Sequence, residues 1–266
     1  MFEVIGERIN TSRKLVQAAV AERDADYIIT DVKQQEAAGA AFIDVNAGAR
    51  IGHETEDMKW LLETIQPEVN TPLALDSPDP EVLEMAFSMV DKTPMVNSIS
   101  LEKERYEAMI PLLTGKKCKV IALCMDDAGM PESSQDIVNR AKELVESLNK
   151  IDIPTENIYV DPLVQPISTD SNKGVMVLDA VRAIKSEFPS VHITGGLSNI
   201  SYGLPQRKII NRTFVTLMMD AGMDSAIIDP LDVKIMATIK TADMLLGHDQ
   251  FCMEYLKGVR AGVIES

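Results

Sequence analysis

Cysteine is scarce in this chain. Cys118, Cys124 and Cys252 are the only three in 266 residues, their number is odd, and no CxxC spacing occurs. That argues against a disulfide framework or a structural zinc site and fits a reducing cytoplasm. Histidine is as rare: His53, His192 and His248 lie far apart, outside any HExxH pattern, and His192 sits in an apparent strand, as a core residue would. Positive charge is short too. Twenty-six Lys and Arg against 41 Asp and Glu leave a net charge of −15. Nucleic acid is then an unsuitable partner, because its phosphate backbone needs a cationic face; the acidic surface serves solubility or steers a basic protein. No apolar run approaches the roughly 20 residues that span a bilayer. The N-terminal MFEVIGERIN has no basic and apolar signal-peptide regions, so a soluble cytoplasmic protein is the reading. A G-x-G-x-x-G turn after the first β-like run is also missing, which counts against an open doubly wound sheet.

What is present suits one α/β domain over residues 1–266, with 45% apolar and 25% charged residues. Eight short β-like runs fall at 4–9, 41–46, 72–77, 94–99, 119–125, 157–162, 191–194 and 225–230. Helical patterns fall at 13–23, 26–38, 54–66, 80–89, 102–114, 134–149, 175–187, 207–221 and 232–246, and 249–259 adds a terminal segment. The runs are continuously apolar, as in a parallel sheet covered on both faces. Eight β/α alternations in a chain close to the usual size of about 250 residues predict a (β/α)8 TIM barrel.

Polar residues stand where these runs end: Glu7, Arg8 and Asn10; Asp44 and Asn46; Asp76 and Ser77; Asn97 and Ser98; Met125 and Asp126; Asp161; Ser198 and Asn199; Asp229. Each alone reads equally well as a helix cap or turn former. Together, in a barrel, they converge on the mouth where active sites are built. Carboxylates and amides, without a cysteine, histidine or lysine nucleophile, suit a nitrogen-rich heterocycle with several N–H donors. Aspartates also bind magnesium or calcium, so a metal site is the rival reading.

The stretch from His192 to Phe214, HITGGLSNISYGLPQRKIINRTF, carries a strand, a Gly-Gly break, a polar loop and a helix whose expected face holds Ile209, Ile210, Phe214, Leu217 and Met218. The glycine pair removes side chains that would keep a flat ligand from the backbone. IGERIN at 5–10, DVNAG at 44–48, LDS at 75–77, VNS at 96–98, VDP at 160–162, GLSN at 196–199 and NRTF at 211–214 occur in one order. As a set they resemble the pterin-binding corrinoid methyltransferases, which move methyl groups between tetrahydrofolate and a corrinoid, and more distantly the folate domain of cobalamin-dependent methionine synthase.

The resemblance implies a dihydropteroate-synthase-like barrel and an enzyme, a methyltransferase of one-carbon metabolism in anaerobic cells. It places Asp76, Asn97, Asp161, Gly196, Ser198 and Asn199 around the pterin and makes Asn199 the catalytic residue beside the methyl-bearing nitrogen. Glu7, Asn10, Asp44, Asn46, Met125, Arg207 and Asp229 follow as secondary contacts, with Arg207 near the anionic glutamate tail. No protein-bound metal is implied. The corrinoid is expected on a partner protein, since no D-x-H-x-x-G motif is present, and the chain is expected to form a homodimer. The expected direction is methylcobalamin plus tetrahydrofolate to methyltetrahydrofolate in a demethylation pathway; methylation of a corrinoid/iron–sulfur protein for acetyl-CoA synthesis is the alternative. A dihydropteroate synthase is disfavoured because strand 7 ends without lysine or arginine. A non-catalytic folate-binding module and a metal-dependent lyase or aldolase are the remaining readings. TSRKL after IGERIN and Gly203-Leu204-Pro205 depart from the family pattern, which bears on tail binding and partner contact.

Overall fold

Side chains alternate across a strand, so one sequence pattern serves both faces of a closed sheet. The structure, a computed structural model, describes residues 2–264. Its strands are β1 (Glu3–Asn10), β2 (Phe42–Asn46), β3 (Leu73–Asp76), β4 (Met95–Leu101), β5 (Lys119–Asp126), β6 (Ile158–Asp161), β7 (His192–Ile193) and β8 (Ser225–Ile228). They form one parallel sheet in the order β7-β6-β5-β4-β3-β2-β1-β8. The ends meet where Ile227 N donates to Gly195 O (3.2 Å) and Ser225 Oγ to Ile193 O (3.0 Å), with a further bridge between Gly196 and Ile227. This is the barrel expected from the eight alternations.

The crossover helices are α1 (Lys14–Glu22), α2 (Ala25–Ala37), α3 (Glu54–Ile65), α4 (Pro80–Met89), α5 (Lys103–Leu113), α6 (Ser134–Asn149), α7 (Lys173–Glu187), α8 (Arg207–Ala221) and α9 (Val233–Leu245). α10 (Met253–Arg260) follows a short turn at 250–252 and packs on α9. Several starts are capped by the residue types that satisfy free backbone N–H groups: Asp24, Asp79, Ser133 and Asp232 each accept from their own first turn. In α8 the buried face is Phe214, Val215, Met218 and Met219. Ile209 and Leu217, expected on that face, are exposed, because the helix is rotated to bury its methionines.

Outward positions of the strands pack into the large core beneath the helices. Inward positions form a separate apolar floor of Ile5, Phe42, Ala74, Met95, Ile121 and Tyr159, with Ile227 against it. Below it the barrel is closed by Lys119, which donates to Tyr159 Oη (2.6 Å), and by Tyr159, which donates to Glu3. His192 stacks on Tyr159 at 4.4 Å and pairs its Nδ1 with Asp224 (3.1 Å). It is a structural residue of the closed end, as a histidine inside a strand suggests.

Candidate functional site

Two residues beyond each floor residue, the same face of the same strand turns polar. Ile5 is followed by Glu7, Phe42 by Asp44, Ala74 by Asp76, Met95 by Asn97, Tyr159 by Asp161 and Ile227 by Asp229. Leu123, two beyond Ile121, and Met125 are partly exposed and give this layer an apolar side. A floor that excludes water thus lies directly below a ring of carboxyls and amides at the C-terminal mouth, where barrel active sites form.

The ring is internally paired. Asn46 Nδ2 donates to Asp76 Oδ2 (2.8 Å) and Asn97 Nδ2 to Asp44 Oδ1 (3.1 Å). Asp161 Oδ1 accepts from Leu163 N (2.8 Å). Burial outweighs the hydrogen bonds and the nearby cations Arg13 and Arg105 that oppose it. It pushes the Asp161 carboxyl up to about 6 and that of Glu7, further raised by Asp229 and opposed by Arg13, up to about 7. Burial, then the neighbouring Asp76, raises Asp44 well above the usual carboxylate range, and burial raises Asp76 as well. Four carboxyls whose proton affinity is raised by burial are suited to accept N–H groups from a ligand that replaces water or protons there.

The β7 end supplies the opposing wall. Gly195 has φ +149°, and a Cβ there would lie 2.9 Å from Asp161 Oδ1, so only glycine leaves that carboxyl in place. The following short 3-10 turn, Leu197–Ser201, presents Ser198 and Asn199 to solvent, with the Asn199 amide beside the open face of Gly196. Arg207 holds this turn: Nη2 donates to Ser198 O (2.7 Å) and Nε to Ser201 Oγ (3.0 Å). Its guanidinium is therefore engaged with the loop that carries Asn199, at the mouth where the resemblance places a ligand tail. Thr194, the inward residue opposite Asp161, is buried and its hydroxyl has no partner.

Other expected residues have local roles as well. Asn10 Oδ1 accepts from Ser12 N and turns the chain after β1 (2.9 Å). Asp229 Oδ1 accepts from Leu231 N, and its Oδ2 accepts from Arg8 Nη1 at 2.8 Å. Sequence reasoning missed Arg105, whose guanidinium ties Ser77 O (3.0 Å) to Ser98 O (3.0 Å) and braces the loops after β3 and β4. It missed Leu123 and Thr194 also, although the two-residue step from Ile121 and His192 points to both. Among the described residues no group of three or more His, Cys, Asp or Glu is placed to hold a metal ion. Among the described residues no helix is long and apolar enough to cross a membrane.

Comparison with known proteins decides between the ligand classes this ring fits. Residues 6–229 match the family of pterin binding enzymes. The chain belongs to that family. This pterin-binding barrel is 38% identical over 263 residues to the methylcorrinoid:tetrahydrofolate methyltransferase of Eubacterium limosum, across 98% of this chain and 97% of that protein. It is 29% identical over 239 residues to the methionine synthase of Mycobacterium tuberculosis, spanning 85% of this chain and 20% of that much longer protein. Among solved structures, the 7,8-dihydropteroate synthase of Vibrio fischeri ES114 superposes with a TM-score of 0.71 over 92% of this chain and 93% of that one. At 14% identity this is a likeness of fold.

Proposed function

We propose that the chain is a methyltransferase that moves a methyl group between tetrahydrofolate and the cobalt of a corrinoid carried by a partner protein. Its physiological direction in this reading is from the methylcorrinoid to tetrahydrofolate. End-to-end similarity to a methylcorrinoid:tetrahydrofolate methyltransferase supports the reaction. The observation that carries it to particular atoms is the polar ring two residues above the apolar floor, walled by Gly195 and Gly196 beside Asp161 and the exposed Asn199 amide.

In this reading the pterin lies on the floor with its ring N–H groups toward Asp161, Asp76 and Asn97, beside Gly196 and Ser198. Asp161 is the main acceptor, since a carboxylate takes two N–H bonds in parallel. Glu7, Asp44 and Asn46 fill the ring behind them, while Asn10, Met125 and Asp229 line its edge. Methyl transfer is an in-line displacement, and the folate nitrogen is a poor nucleophile or leaving group unless it is oriented and stabilised. Asn199 orients the lone pair of that nitrogen, and its hydrogen bond strengthens as charge changes there, which favours the transition state over the ground state.

The reading extends to a single domain over the whole chain, a cytoplasmic location and a homodimer. Exposed Leu245, Phe251, Met253, Leu256 and Val259, on the last turn of α9 and on α10 with the turn before it, support the dimer as one apolar surface.

Asn199→Ala is expected to leave tetrahydrofolate affinity within about tenfold while slowing methyl transfer by more. Calorimetry and single-turnover spectra measure the two quantities on one preparation. Equal losses in affinity and rate contradict the role given to Asn199.

A further inference from the structure

Methyl transfer to tetrahydrofolate leaves one proton without a carrier. The attacking nitrogen enters with a hydrogen and leaves without it, and the Asn199 amide has no titratable proton at neutral pH. A second group must take it.

The ring offers five carboxyls, and four are committed. Asp44 accepts from Asn97, Asp76 from Asn46, Asp161 from Leu163 N, and Asp229 from Leu231 N and Arg8. Glu7 differs: burial and neighbouring charges act on its carboxyl, but among the described residues no hydrogen bond reaches it. Its placement has a backbone cause. The β1–β2 register shifts between Gly6 and Ile9, so Glu7 and Arg8 both stand opposite Asp44. Glu7 keeps the inward phase of Ile5. Arg8 turns outward and grips Asp31 of α2 through Nε (2.9 Å) and Nη2 (2.7 Å). Alternation from Ile5 thus puts an unpaired carboxyl over the floor and takes the adjacent arginine out of it, and the shift returns Ile9 to the outer core.

The charged groups around Glu7 come from each neighbouring element. Asp229 lies past the end of β8, Asp44 on β2, and Arg13 in the turn before α1. Arg8 and Arg13 both lean on Asp229, at 2.8 and 3.9 Å, which leaves the Glu7 carboxyl without a direct cation. Burial and Asp229 therefore outweigh Arg13, and the carboxyl takes and gives a proton at about pH 7. A carrier works best when its proton affinity lies near the working pH. On the far side of β8 from Glu7 stands the Thr194 hydroxyl, buried and without a partner, between β7 and the Asn199 loop. A hydroxyl both donates and accepts, so it is suited to hand a proton between the two walls.

We propose that Glu7 carries the proton exchanged at the reacting folate nitrogen. The proposal rests on the methyl-transfer reading above. When tetrahydrofolate is methylated, the nitrogen lone pair forms the new C–N bond as the carbon–cobalt bond breaks, leaving both electrons on cobalt. The N–H electron pair stays on nitrogen, and the proton passes to the Glu7 carboxylate. The products are methyltetrahydrofolate, Co(I) corrinoid and protonated Glu7, which is partly exposed and returns the proton to solvent. In the reverse direction protonated Glu7 gives the proton back as the C–N bond breaks.

The sign of the pH dependence follows. Methylation of tetrahydrofolate needs Glu7 ionised, so the rate rises with pH and levels off above about 7. Methylation of Co(I) needs Glu7 protonated, and its rate falls through the same range.

The test uses the purified full chain with tetrahydrofolate and methylcobalamin under anaerobic conditions, comparing wild type, Glu7→Gln and Asp229→Asn. Glu7→Gln keeps size and polarity but cannot titrate. It is expected to slow turnover at saturating folate by about a hundredfold or more and to abolish the rising limb. Its folate affinity is expected to stay within about threefold of wild type. Asp229→Asn removes a negative neighbour and is expected to move the limb to lower pH, whereas a merely structural defect lowers the rate at every pH without moving it. If Glu7→Gln keeps the limb, or stays within about threefold of a wild type that turns over, Glu7 does not carry the proton. A wild type that fails to turn over contradicts the methyl-transfer reading itself, and the role of Glu7 falls with it.

Discussion

The smallest decisive feature of this molecule is a missing Cβ. Gly195 lets the Asp161 carboxyl occupy space that any side chain at 195 would enter, and its φ of +149° disfavours an L residue in any case. Gly195→Ala is expected to displace Asp161 and weaken tetrahydrofolate binding by about tenfold or more, at a stability cost of order 1–3 kcal/mol. Calorimetry with a denaturant titration separates the two effects, and unchanged affinity removes Asp161 from the pterin pocket. The Asp161 carboxyl also gives binding a pH signature. Its proton affinity is raised to about 6, and the ring N–H groups of a pterin select the ionised form. Affinity is therefore expected to be constant above about pH 6 and to fall about tenfold per pH unit below it. Asp161→Asn is expected to bind weakly and without that dependence. A wild-type affinity that does not change between pH 7 and pH 5, measured by calorimetry, contradicts the assignment.

At the scale of elements, two of the braces that hold the site can each be tested alone. Arg207, at the start of α8, bonds the Ser198 carbonyl and the Ser201 hydroxyl, fixing the turn that presents Asn199. Arg207→Ala is expected to lower kcat more than it raises KM, since it loosens a transition-state contact rather than the pterin ring. A pure KM effect instead places Arg207 on the folate tail. The second brace is the Gly6–Gln35 contact. A Cβ at Gly6 would collide with Gln35 Oε1, and Gln35 Nε2 holds Asp31, which holds Arg8. Gly6→Ala is expected to cost about 1–3 kcal/mol in unfolding free energy, read from the denaturant midpoint. The barrel was legible because each strand was a short continuous apolar run followed by a helical pattern. Helices at 54–65, 80–89 and 134–149 fall within a residue of the pattern because capping residues or breakers bound them. β7 was not sharply bounded: Val191–Thr194 reads as a strand, but Gly195 bends away and leaves two paired residues. The ring of Asp and Asn was legible as strand-end polar residues. Arg105 was not, because it reaches the loops after β3 and β4 from a helix, and no strand-end pattern marks it. The orientation of Arg207 was hidden for a similar reason, since its acceptors are a backbone carbonyl and a serine.

Over the whole molecule, the apolar floor, polar ring and open loop form the surface on which the proposed function places a flat heterocycle, one edge bonded and one nitrogen toward the mouth. Exposed Leu15, Ile51, Met130, Tyr202 and Val233 lie on the loops and helix starts at that end. They suit contact with the apolar faces of a corrinoid and its carrier. The opposite set on α9, α10 and the turn before it suits a second copy of the chain. Phe251, 88% exposed, is its most prominent member. Phe251→Asp is expected to shift a dimer to monomer in sedimentation velocity without loss of turnover; a wild type that sediments as a monomer contradicts the dimer. One experiment reaches the proposed reaction directly: anaerobic mixing of the purified chain with tetrahydrofolate and methylcobalamin, followed through the cobalamin spectrum. Conversion of methyl-Co(III) to Co(I), with methyltetrahydrofolate as product, is the expected result. Absence of both conversion and tetrahydrofolate binding contradicts the reading of the mouth as a pterin site built for methyl transfer.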